Sequence, residues 1–146
     1  MPDIQFKIHR IGIDQFATLK EPVRDDANFD ITVTPGCNTN FKAVAVSVEV
    51  RFIEDDNPLL LLETSSFFEL HKDSWSELTD KGTGNVIIPE SFLIALVQIS
   101  ISQTRGVLCA KTEGTPFAKF LLPIVDVSRF GIKGDMVILP DGSIKE

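Results

Sequence analysis

Residues 85–123 read NVIIPESFLIALVQISISQTRGVLCAKTEGTPFAKFLLP. Pro89 suits a first helical turn, because its missing N–H would be unpaired there in any case, and Gly114 followed by Pro116 suits the stop. Between them Phe92, Leu93, Leu96, Val97, Ile101 and Leu108, with Ile99, Val107 and Ala110, wrap most of the girth. The pattern predicts one long helix, buried on more than one side. The stretches upstream of it read as the strands it lies on.

Working outward, Ala43–Ile53 is the clearest of these strands. Val44, Val46, Val48, Val50 and Phe52 point one way, and Ala43, Ala45, Ser47, Glu49 and Arg51 the other. The alternation predicts one dry face and one that meets water or a polar partner. Glu54–Pro58 is a turn and Leu59–Leu70 the returning strand of a hairpin. Leu59 to Leu62 are apolar on both faces, which predicts cover on both sides, by an oligomer interface or by the chain's own loops. Ile4, Phe6 and Ile8 alternate with polar residues, and the phase then slips to Ile11 and Ile13. A β-bulge near His9–Arg10 accounts for the slip, since one extra residue exchanges the faces. Lys20–Asn28 is a polar loop. Phe29, Ile31 and Val33 form a strand that ends at Pro35-Gly36. His71–Gly84 is a charged crossover, with Trp75 packed over the helix or sheet. Thr115–Phe130 is extended, and Met136–Leu139 is a small strand or an ordered tail.

The chain's 146 residues make one domain, 1–146, which buries about 68–70% of the surface its unfolded chain exposes. A net charge of −7 disfavours nucleic acid and favours basic proteins or basic unfolded segments as partners. Cys37 and Cys109 form no metal or disulfide framework and read as buried thiols of a reducing compartment. The opening Met1-Pro2-Asp3-Ile4 lacks the pattern of a secretory signal. The longest unbroken apolar stretches, near ten residues, fall short of the roughly 20 that insert into a membrane. A cytoplasmic location is expected.

Motifs for chemistry are sparse. His9 and His71 have no ligand-spaced partners, Lys81-Gly82-Thr83-Gly84 lacks the rest of a phosphate loop, and no Gly-x-Ser-x-Gly elbow occurs. Glu63 and Glu69 share a strand face, but lie about 20 Å apart along it, too far to cooperate as acid and base. Eleven Phe without a Tyr and a long apolar helix on a sheet fit a binding scaffold better than an enzyme. No cofactor is expected.

The order of elements also resembles a known family. A bulged first strand, Leu61-Leu62-Glu63 entering Phe67-Phe68-Glu69-Leu70, a polar crossover, Ile88-Pro89 opening a helix that holds Thr104-Arg105-Gly106, and then Leu121-Leu122-Pro123-Ile124-Val125-Asp126-Val127 are similar to the SecB family of protein-export chaperones. The resemblance implies an α+β fold, a four-stranded antiparallel sheet with a long helix packed on one face, assembled as a dimer of dimers. It implies an ATP-independent holdase that binds unfolded or precursor polypeptides in apolar grooves and passes them to a translocation ATPase. By position, Leu61 and Glu63 correspond to the ATPase-contacting sheet face, and Phe67, Phe68, Trp75, Val86, Ile88 and Phe92 to the peptide-binding groove. The helix running on to Glu113 and the divergent tail 131–146 depart from the family pattern. Two further readings stand beside this one. One is a client-specific SecB-like chaperone, for an antitoxin for example. The other is a hot-dog-like small-ligand or acyl-thioester protein, in which Glu90 at the helix start would be the residue to test.

Overall fold

The apolar alternation along residues 43–70 folds as the centre of an antiparallel sheet. In the computed structural model, which describes residues 3–145, β3 (Ala43–Glu54) and β4 (Asn57–Leu70) pair throughout as a hairpin. Met1, Pro2 and Glu146, parts of the opening stretch and of the tail discussed above, lie outside the described residues. The turn is two residues long, Asp55 and Asp56, with φ of 50° and 63°. Such two-residue loops need positive φ, which Asp tolerates better than most residues. β1 (Phe6–Thr18) adds to β4 and β2 (Asn28–Asn38) to β3, giving the order β1-β4-β3-β2. The fold is therefore α+β with a four-stranded antiparallel sheet, as expected.

Val44, Val46, Val48, Val50, Leu60, Leu62 and Phe68 lie on one face and are completely buried. α2 (Glu90–Thr112) lies across this inner face and turns Phe92, Leu93, Leu96, Val97, Ile101 and Leu108 onto it. By length and composition alone α2 could cross a membrane, but here those apolar side chains meet the sheet. Its last turns give way to Gly114 at φ 78°, the left-handed stop that a glycine makes easy. At the centre of the helix–sheet contact the inner face turns polar. Thr64 Oγ1 bonds Thr104 Oγ1 at 2.8 Å and Ser66 Oγ donates to Gln103 Oε1 at 2.7 Å. Thr64, Ser66 and Thr104 are buried. An apolar interface tolerates sliding, whereas these paired hydroxyls satisfy each other in a single register.

Several local expectations change. The bulge between Ile8 and Arg10 is present, and a second falls between Ile13 and Gln15; the return of apolar phase to the even-numbered Phe16 is its signature. β2 does not end at Pro35-Gly36 but continues to Asn38. Proline is tolerated there because β2 is an edge strand and its missing N–H has no ladder partner to disappoint. Leu59 is fully buried by an intrachain route: a register shift opposite Phe52/Ile53 lets it join the core. The crossover holds a short helix, α1 (Lys72–Leu78), capped by His71 and carrying a half-buried Trp75. Cys37 is only half-buried and Cys109 is exposed, which corrects the expectation of two buried thiols. Helical spacing puts Cys109 on the side of α2 away from the sheet, next to the core residue Leu108.

After α2 the chain turns back along the sheet. Phe117, Phe120 and Leu122 enter the core, and Phe120 stacks on Phe52 with centroids 5.4 Å apart. Arg105 holds this return, donating from Nε to Leu122 O at 2.6 Å and from Nη2 to Pro123 O at 2.8 Å. β5 (Val86–Ile88) precedes α2, and β6 (Met136–Ile138) pairs antiparallel with it in a separate two-stranded sheet.

Candidate polypeptide-binding surface

β1 carries its apolar side chains toward the inner face, in register with Phe68, Ser66, Thr64 and Leu62 of β4. α2 lies over β3 and β4 and does not reach far enough to cover them. Phe6 stays 40% exposed, Ile8 49%, Ile11 44% and Ile13 45%. A strip of large apolar groups therefore runs along the sheet edge, and β1 pairs on one side only, so its other backbone edge offers free N–H and C=O groups. An unpaired edge flanked by apolar side chains is the geometry that accepts an added strand. At its upper end Phe6 packs edge-on against Phe92, with centroids 5.1 Å apart, and Phe68 at 6.2 Å. It also forms the apolar floor of a cleft of about 410 Å³ rimmed by Gln5, Lys7, Glu69, His71 and Lys72. At the lower end Lys111 Nζ lies 5.7 Å from the Phe16 ring centroid.

The outer face of the sheet is polar and acidic. The second bulge brings Asp14 over β4, where its carboxylate accepts from Ser65 Oγ, and Ser65 bonds Ser47 at 2.9 Å. Glu63 stands directly opposite Glu49, and Arg51 Nε donates to Glu49 Oε1 at 2.8 Å. Partial burial, then the neighbouring Asp14 charge and its contact with Glu49, push the Glu63 carboxyl above the usual range. Among the described residues no group of His, Cys, Asp and Glu is placed to hold a metal ion.

The fold separates residues grouped by the sequence. Phe67 and Phe68 point to opposite faces of β4: Phe67 is half-buried beside Ala45 on the outer face, while Phe68 is fully buried. Val86, Ile88 and Phe92 are also buried, the first two on β5 beneath the cover of β6. Trp75 is half-buried against the core. Leu61 and Glu63 do share the acidic outer face, both half-buried. The open apolar strip instead belongs to Phe6, Ile8, Ile11 and Ile13, which alternation had marked as half-buried without showing what covers them.

No protein-family model matches the chain, and no curated protein does. Among solved structures the chain is similar to the Mycobacterium tuberculosis Rv1957 SecB-like chaperone in complex with a ChAD peptide from the Rv1956 HigA1 antitoxin. The identity is 15% and the TM-score 0.48, over 84% of this chain and 90% of that one. A likeness at that level carries no correspondence of individual residues.

Proposed function

We propose that this protein is an ATP-independent holdase chaperone that binds non-native polypeptides, a distant SecB-like protein. The observation that carries the reading is the unpaired β1 edge with Phe6, Ile8, Ile11 and Ile13 half-exposed beside it. Extended, unfolded chains bring free backbone groups and alternating apolar side chains, and this edge has partners for both. The acidic balance of −7 adds attraction for basic segments. In this reading the protein works in the cytoplasm, and its clients are export precursors or one dedicated partner such as an antitoxin. The acidic sheet face around Leu61 and Glu63 is then the surface for a translocation ATPase.

The same edge fits a second copy, in keeping with an assembly built as a dimer of dimers. Two β1 strands paired edge to edge would cover the isoleucines that a lone subunit exposes. Aggregation of a denatured client, followed by light scattering at equimolar chain, tests the holdase reading. Loss of most suppression is expected in Ile11→Asp/Ile13→Asp, because two apolar side chains at about 1.5–3 kcal/mol each correspond to about a hundredfold or more in affinity. Absence of any suppression by the unmodified protein would sink the reading. The mass of the double variant in solution shows whether the edge also joins subunits.

A further inference from the structure

The C-terminal segment is seated on the rest of the molecule as a ligand would be. Its β6 strand lies along β5 with Val86 opposite Ile138 and Ile88 opposite Met136, and both Met136 and Ile138 are buried while Val137 between them is half-exposed. One residue earlier stands Asp135. α2 begins after Pro89, which has no side-chain acceptor to cap the helix. The cap is supplied across 45 positions, by Asp135 Oδ1 accepting from Glu90 N at 2.9 Å. Glu90 answers by accepting from Gly134 N through Oε2 at 3.0 Å. A carboxylate at this place meets both the free N–H groups and the positive end of the helix.

Beyond β6 the segment closes on itself, with Leu139 N donating to Ser143 O and Lys145 N to Val137 O. It touches the main sheet through Cys37 Sγ, which donates to Gly142 O at 3.2 Å. On the other side it is joined to the domain by Gly131 and Gly134, at φ 66° and 80°, and a side chain at either would meet nothing within 4 Å. Two glycines flank a two-residue link of which Ile132 packs against the core, and the unit beyond it rests on one short ladder, one cap, the Cys37 bond and the apolar side chains of Met136, Ile138 and Ile144.

We propose that β5 and the N-terminus of α2 form a binding site for an extended segment with an acidic residue followed by apolar-x-apolar, and that residues 134–145 are its resident occupant. The inference rests on the holdase reading for the identity of the visitor, a non-native chain, but not for the existence of the site. A visitor supplies the carboxylate for Glu90 N, two side chains for the space of Met136 and Ile138, and a strand edge for β5. Displacing the tail, it exposes no more apolar surface than it covers.

The probe is a fluorescent synthetic peptide of residues 134–145, titrated into the full chain by anisotropy. Removing the resident's cap with Asp135→Ala raises the fraction of open site, so the peptide is expected to bind about tenfold tighter than to the unmodified chain. A peptide carrying Met136→Asp and Ile138→Asp should not bind. Ile87→Cys with Val137→Cys, directly opposed on the ladder, in a Cys37→Ala/Cys109→Ser background, locks the resident in place. Oxidation should abolish peptide binding and reduction restore it, the reduced form serving as the control for folding. Equal binding in the oxidised and reduced states, or no binding to either opened form, would overturn the site. Aggregation suppression that survives such a result leaves the holdase reading standing on β1 alone. Peptide exchange without any aggregation suppression supports the site and removes the holdase reading.

Discussion

The two edge strands of one sheet have opposite fates. Both β1 and β2 turn an alternating apolar row toward the inner face, and both flank the strands that α2 covers, β1 meeting the helix through Phe6 against Phe92 and Phe16 beneath Lys111. On the β2 side the chain returns: Phe120 stacks on Phe52 of β3, Phe29 of β2 lies 6.3 Å from the same ring, and Ile31 and Val33 pack against the core. Over β1 nothing returns among the described residues, and its row stays near half exposed. The edges also differ in how they meet strangers. β2 carries Pro35 in its run, a residue that blocks strand addition, whereas β1 carries no proline and its two bulges interrupt the edge only locally. One edge is finished by the chain, and the other stays open.

The largest effect that can break this comparison is on stability. Phe120→Ala should cost about 3–5 kcal/mol, the range for a buried aromatic deleted from a core, and Phe6→Ala only about 1–2 kcal/mol. Urea unfolding of the two variants measures both, and equal losses would mean that β1 is covered after all. Next comes the clasp that holds the return segment. Arg105→Ala removes two guanidinium bonds to main-chain carbonyls and is expected to lose about 1–2 kcal/mol, reduced from the full value because the bond to Pro123 is solvent-exposed. Hydrogen exchange should show the loosening over residues 117–124 and not in β1.

The smallest expected effects are in pH dependence, and they have opposite signs on the two sides of the sheet. Glu63 holds its proton more tightly when folded, so it favours the folded state at low pH and loses that contribution as pH rises from the ordinary glutamate range through its raised value. Glu63→Gln should flatten this decline in Tm. Glu54 behaves the other way. Its carboxylate accepts from Arg24 N at 2.9 Å and also from Val23 N, which lowers its pKa. Its contribution is present above the unfolded value and lost as pH falls through the folded one. Glu54→Gln should therefore remove part of the acid-side loss, and an unchanged Tm profile would mean that the loop Leu19–Ala27 is held by other contacts.

The central hairpin, the long helix and the first bulge were legible because each rests on local periodicity. Val44 to Phe52 alternate regardless of their surroundings, and Pro89 and Gly114 mark the helix ends by backbone chemistry alone. α1 was not legible, because seven residues with one turn of charged side chains look like a loop until His71 caps them. Of the residues named for binding, Leu61 and Glu63 lie together on the outer face, which strand alternation alone already implies. Phe67 and Phe68 were grouped although adjacent strand residues face opposite ways, and Val86 and Ile88 gave no sign in sequence that residues 136–138 would lie beside them.

The sequence by itself determined which side of each element is apolar, since side-chain direction follows from the helical or strand period. Only the tertiary structure decided which apolar sides are covered, because cover depends on where distant segments land. Phe120 came to rest on Phe52 of β3, beside β2 and away from β1. Asp135 came to cap a helix that starts 45 positions earlier. Neither fact has a local cause. The open β1 strip and the occupied β5 edge both follow from where the segments after α2 land, Phe120 on Phe52 and residues 136–138 along β5.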